Sequence, residues 1–239
     1  MSKSAAMSTT AVAIAIVAWC FLPPQSREAA AQAGQLYVNV VGLDIVAADR
    51  DKFIALVKDN GATAVKEPGC HEFNIAASQK DPNHIVLFEI WDNVAALDAH
   101  RASDHFKAYQ AATKEMVSKR ELRTMWSVAL SGHSPAQAGL FINAVDLDIV
   151  PAQFDAFMAA AKINGAATPS DPGAHEFNIV VSQKDPHHVL FYEVYDNAAA
   201  LDAHRATDHF KTYQGATKDM VANRNVNALS SIAMNRQPM

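Results

Sequence analysis

Histidines and carboxylates recur in this chain as two matched sets. His71, Glu89, His100 and His105 fall within EPGCHEFNIAASQKDPNHIVLFEIWDNVAALDAHRASDHFKAY, which begins at Glu67. His175, Glu193, His204 and His209 hold the same places in DPGAHEFNIVVSQKDPHHVLFYEVYDNAAALDAHRATDHFKTY, which begins at Asp171. An imidazole, with an ordinary pKa of about 6.5, can take a proton from a weak acid near neutral pH. Amide and phenol donors accompany it: Asn39, Asn60 and Tyr109 in the first set, Asn143, Asn164 and Tyr213 in the second. Phe73 and Trp91, matched by Phe177 and Tyr195, add apolar surface. Such a set suits a small planar substrate whose hydroxyl must lose a proton inside an apolar cleft. His71, His100, Glu89, His175, His204 and Glu193 are the candidate catalytic groups, and the other residues named here, His105 and His209 included, are expected to bind the substrate.

Structural alternatives stand beside each assignment. Asn60 and Asn164 precede Gly and can end a helix. His105 and His209 sit where a first helical turn would be capped or solvated, and Glu89 and Glu193 could accept structural hydrogen bonds. His84, His187 and His188 flank a loop and read as surface residues. Retention in both copies is also what descent from a duplicated ancestor would give. Other chemistries lack their residues: there is no Gly-rich phosphate loop, GxSxG, HExxH or CxxC. The His spacings fit no common metal pattern, so no metal is expected. The counterpart of Cys70 in the second copy is Ala174, which argues against a thiol shared by both halves.

These residues must be held by elements that the hydrophobic period reveals. Tyr37, Asn39, Val41, Leu43 and Ile45 alternate along one strand face, as do Phe141, Asn143, Val145, Leu147 and Ile149. Phe53, Leu56, Val57 and Asn60 follow helical spacing, matched by Phe157, Ala160, Ala161 and Asn164, and EPG or DPG stops the helix. Two strands follow, HEFNIAAS and HIVLFEIW, with His71 expected on the face of Phe73 and Ile75. A second helical region runs from about Asn93 to Arg120, with a fresh start capped near Ser103 and Asp104. A weaker strand closes each copy, LRTMWSVAL or VNALSSIAM. Each repeat is thus β-α-β-β-α-β, the ferredoxin-like order. The fold class is α+β, with two such units packed sheet to sheet within one chain. Domains are expected at 35–130 and 139–234, joined by a linker at 131–138.

Half of the 239 residues are hydrophobic, and the net charge is -5. That balance leaves no basic face for nucleic acid or anionic lipid. Lys3, the apolar run AVAIAIVAWCFL and an Ala-x-Ala site at Ala31 and Ala33 read as a signal peptide over 1–33, so a secreted or periplasmic protein free of the membrane after cleavage is expected.

From EPGCHEFNI through DPNHIVLFEIWDNVAALDAHRASDHFKAY, the chain resembles the antibiotic biosynthesis monooxygenase family, which includes cofactor-free quinol monooxygenases and an autoinducer-2 processing isomerase. The resemblance spans both repeats. It implies a dimeric α+β barrel, here made within one chain as a pseudo-dimer with higher assembly left open, and a pocket between sheet and helices in each unit. It also implies a cofactor-independent monooxygenase with molecular oxygen as co-substrate and a small quinol or polyphenol as substrate. His71 or His100 would be the base, Glu89 an orienting partner, and Asn39, Asn60 and Tyr109 the donors. A non-catalytic binder of an aromatic or heme-like ligand, and an isomerase of a small hydroxyketone, are the alternatives. Heme-degrading relatives place a His where this chain has Gln110 and Gln214, which argues against heme oxygenation.

Overall fold

Alternating side chains give the first strand of each repeat two buried faces. In β1 (Tyr37–Ile45), Tyr37, Val41, Leu43 and Ile45 join an apolar cluster with the helix residues Phe53 and Val57, whereas Val38 and Val40 join a second cluster that holds no helix residue. The structure, a computed structural model, describes residues 34–237, so the expected signal segment lies outside the described residues. The first repeat continues through α1 (Arg50–Ala64), β2 (Cys70–Ser78), β3 (His84–Trp91), α2 (Val94–Ala102), α3 (Asp104–Thr113) and β4 (Val117–Gly132). The second comprises β5 (Phe141–Ile149), α4 (Phe154–Ala167), β6 (Ala174–Ser182), β7 (His188–Tyr195), α5 (Ala198–Ala206), α6 (Asp208–Thr217) and β8 (Val221–Arg236). Among these helices none is long and apolar enough to cross a membrane.

Side-chain caps set the helix breaks. Asn93 Oδ1 accepts from the Ala96 amide at 3.1 Å to start α2, and Ser103 Oγ accepts from the Phe106 amide at 3.3 Å to start α3. The second helical region stops at Thr113 and one 3-10 turn, short of the expected Arg120. From Val117 the chain is strand, because Val117 pairs with Ile45 and Arg120 with Leu43 on β1, and this pairing overrides the helix preference of the Lys, Arg and Glu in VSKREL. β4 also runs through Gly132, two residues into the stretch read as a linker.

The eight strands close in the order β1-β3-β2-β8-β5-β7-β6-β4. The expected pseudo-dimer is therefore a closed barrel with helices outside it. The front of β4 pairs with β1, and its end, from Met125 to Gly132, pairs with β6; β8 likewise pairs first with β5 and then with β2. Each repeat thus supplies the missing edge of the other, and the two halves read as separate domains share one barrel.

The lumen is packed with Val38, Ile90, Met125, Ile142, Val194 and Leu229. Phe88 and Tyr192, the same position in the two repeats, stack there with ring centroids 4.0 Å apart. Glu72 and Glu176 enter from β2 and β6, on opposite sides of the barrel, with their carboxyl groups in hydrogen-bond contact. Asn74 donates to Glu72, Asn178 donates to Glu176, and Ser134 Oγ donates to Glu176 Oε2 at 2.6 Å. Burial raises the pKa of both carboxyls, and the second carboxyl raises Glu72 further, so the pair holds a proton.

A buried carboxyl of this kind stabilises the fold fully below its unfolded value, about 4.5, and loses that contribution as pH rises through the higher folded value. As pH rises from that point, the wild-type melting temperature should fall relative to that of a Glu72→Gln variant. Parallel curves for the two proteins would show that no shared proton is held there.

Candidate active site

A cavity lies between sheet and helices in each repeat. In the first it measures about 250 Å³, over Val41, Leu43, Phe73, Leu87 and Glu89 of the sheet and under Asn60 of α1. α3 closes it with Phe106, Tyr109, Gln110 and Thr113, whose spacing puts them on one helix face. The second cavity measures about 440 Å³ and uses the same positions 104 residues on, identical in type except Phe191 for Leu87. Gly61 and Gly165 allow this close packing, since a Cβ at either would lie 2.8 or 2.9 Å from the Phe73 or Phe177 ring.

Among the described residues, Glu89 and Glu193 are the only carboxylates lining these cavities. Both are buried among apolar side chains. Asn39 Nδ2 and Trp91 Nε1 donate to Glu89 Oε2 at 3.0 and 3.1 Å, and the Tyr195 hydroxyl donates to Glu193 Oε2 at 2.8 Å. Burial pushes both carboxyls above the ordinary glutamate value, Glu193 to about 7, while these hydrogen bonds pull the other way. Tyr109 and Tyr213 line the cavities with hydroxyls that burial keeps protonated, Tyr213 up to about 12. Asn60 Nδ2 is buried with no partner among the described residues, on the wall of the first cavity. In each cavity a carboxyl held above its ordinary pKa, a phenol donor and an amide therefore face one space.

The histidines are placed differently from expectation. A β-bulge at Cys70 and Glu72, repeated at Ala174 and Glu176, makes His71 and His175 the extra residues of the ladder. The alternation slips there, so Cys70 rather than His71 shares the inward side with Phe73. His71 turns to Asp92 at 2.5 Å and His175 to Asp196 at 2.7 Å, so neither imidazole, each expected as a base, lines either cavity. His100 and His204 are buried behind the wall against Phe106 and Phe210, at ring distances of 4.9 and 5.0 Å, and burial lowers their pKa. His105 and His209 also stand behind it, their Nδ1 atoms 3.1 and 2.9 Å from Asn60 and Asn164 Oδ1. They orient those amides and do not line the cavities. Trp91 and Tyr195 reach the site only through the glutamates.

Glu67 bridges His100 at 2.6 Å and His105 at 2.8 Å, and Asp171 bridges His204 at 2.8 Å and His209 at 3.1 Å. Among the described residues these two groups have donor atoms close enough to hold a metal ion, within 4.8 Å of one another. Each carboxylate already sits between two imidazoles, and His204 Nε2 is left buried with no partner among the described residues. Residues that the sequence reading missed are Gln110, Thr113, Lys114 and Arg120, with Gln214, Thr217, Lys218 and Arg224. The face begun by Phe106 and Tyr109 could have been extended to Thr113; Arg120 was hidden by its assignment to a helix.

The family described as antibiotic biosynthesis monooxygenase matches the chain twice, over residues 36–112 and 140–216. Over 83 residues the chain is 31% identical to "Probable quinol monooxygenase YgiN" of Escherichia coli K12, a match covering 31% of this chain and 76% of that one. A solved structure described as a "putative monooxygenase" from Lactobacillus acidophilus aligns with a TM-score of 0.79 at 22% identity, over 85% of this chain and 97% of that one. An "anthrone oxidase-like protein" aligns with a TM-score of 0.60 at 15% identity, over 84% and 93%. At those identities the two structures speak to fold alone.

The hydrogen bond from Tyr195 favours the charged form of Glu193, so its loss should raise the carboxyl further. In Tyr195→Phe, the Glu193 carboxyl followed by carbon-13 NMR should titrate above its wild-type value of about 7. An unchanged or lower midpoint would mean that the contact does not act on the charge.

Proposed function

The chain belongs to the antibiotic biosynthesis monooxygenase family, and on that premise we propose that it oxygenates a small quinol or polyphenol with O₂ and no flavin or metal. The observation that carries this reading is Glu193, a cavity carboxyl that titrates near 7 beside a protonated phenol and an amide. As a carboxylate it takes the proton of a ring hydroxyl; a base matched to ambient pH does this best. Tyr213 and Asn164 then donate to the developing oxyanion, beside the apolar side chains of Val145, Phe177 and Phe191. In the first cavity Glu89, Tyr109 and Asn60 play the same parts, with Asn60 Nδ2 free to donate.

The electron-rich anion passes an electron to O₂, the radical pair combines into a hydroperoxide, and loss of water leaves a carbonyl. The balance closes without another reductant: a quinol C₆H₆O₂ and O₂ give a hydroxyquinone C₆H₄O₃ and water. The quinol in the name of the Escherichia coli relative supports this substrate class. For residues 1–33 we keep the reading of an export signal, which would place the activity in the periplasm or outside the cell.

Metal-free protein should consume O₂ with hydroquinones, and kcat/KM should rise with pH through about 7 to a plateau as Glu193 ionises. A Glu89→Gln/Glu193→Gln double variant should lose roughly a hundredfold or more. No uptake with any hydroquinone beside an active control, or full activity in the double variant, contradicts the proposal. Turnover of a hydroxyketone under anaerobic conditions would instead favour isomerisation by the same base.

A further inference from the structure

We propose that both cavities take an anionic aromatic substrate, one that carries a carboxylate beside its ring hydroxyl. The inference rests on the phenol-oxidising reading above and names a class of substrate within it. Its basis is the charge at the cavity mouths. Lys114 and Arg120 line the first, and Lys218 and Arg224 line the second. The lining carboxylates, Glu89 and Glu193, are buried in the floor and leave the rim unopposed.

Arg120 pairs in the ladder with Leu43, and Arg224 with Leu147. Both leucines line the cavities, so each arginine springs from a backbone position at the cavity edge. Among the described residues Arg120, Arg224 and Lys218 form no ion pair, whereas Arg205, which also lines the second cavity, leans on Asp202 at 3.4 Å. Lys114 has only exposed Glu115 beside it, at 3.8 Å. Arg120 acts electrostatically on Glu89 and Tyr109, and Arg224 on Glu193 and Tyr213, so the rim charge reaches the reacting groups. A chain of net charge -5 thus sets Lys114 and Arg120 over the first cavity and Lys218 and Arg224 over the second, and of these four only Lys114 has an ion-pair partner among the described residues. A guanidinium beside an apolar slot can bind a carboxylate in bidentate fashion while the ring enters the slot. The alternative, a rim that is only solvated, gives no preference between charged and neutral rings.

The test compares 1-hydroxy-2-naphthoate with 1-naphthol, a pair differing by one carboxylate, by anaerobic calorimetry at low salt. The naphthoate should bind roughly tenfold tighter or more, and added salt should erode the difference. Arg120→Gln/Arg224→Gln should abolish the preference while 1-naphthol still binds, and Lys114→Gln/Lys218→Gln should reduce it. Equal affinities, or a preference that survives both double variants, overturn the inference. Oxygen uptake with uncharged 1,4-dihydroxynaphthalene reports separately on the oxidative reading. Uptake without a naphthoate preference defeats this inference alone; a preference lost on removing the arginines, without uptake, upholds the anion site and defeats the chemistry.

Discussion

The seams where the end of β4 pairs with β6, and the end of β8 with β2, are the constraint on which the rest of the structure depends. A lone repeat would expose the face bearing Val38, Val40, Phe88, Ile90 and Met125, together with an unpaired edge. Joining two repeats end to end in sequence buries that face in a lumen. The helices are left on the outer faces, so a cavity forms under the helices of each repeat. Twin sites follow from the way the barrel closes.

The bulge near the start of β2 and β6 links that closure to the chemistry. Its extra residue is left out of the ladder with β3 or β7, and the carbonyls of His71 and His175 accept from the amides of Gln237 and His133, in the segments that follow β8 and β4. The same slip sends both imidazoles out of the cavities and points Glu72 and Glu176 into the lumen. Carboxyls therefore carry the unusual electrostatics twice over. One pair is buried deep enough to share a proton, and the other lies at a cavity wall where a charge can form when needed.

Much of this was legible in the sequence. The period-two face from Tyr37 to Ile45, the helical stripe through Phe53 and Asn60, and the break at Ser103 all specify their elements locally, and the unbroken offset of the repeats implies a pseudo-dimer. The strand exchange was not legible, because VSKREL has a helix-friendly composition and becomes strand only through its partner. His71 was misplaced because a bulge changes alternation without a sequence mark that a strict period can register. Glu89 was singled out as an orienting group, but its burial depends on helices placed by the tertiary fold. Arg120 and Arg224 reached the cavity rims by the same strand pairing that composition concealed.

Oxygen isotope labelling addresses the central claim most directly. With 1,4-dihydroxynaphthalene and ¹⁸O₂, the account predicts one labelled atom in the hydroxylated quinone and the other in water, with no label entering the product from H₂¹⁸O in the trapped initial product. A quinone without label, formed by simple dehydrogenation or hydration, would contradict it.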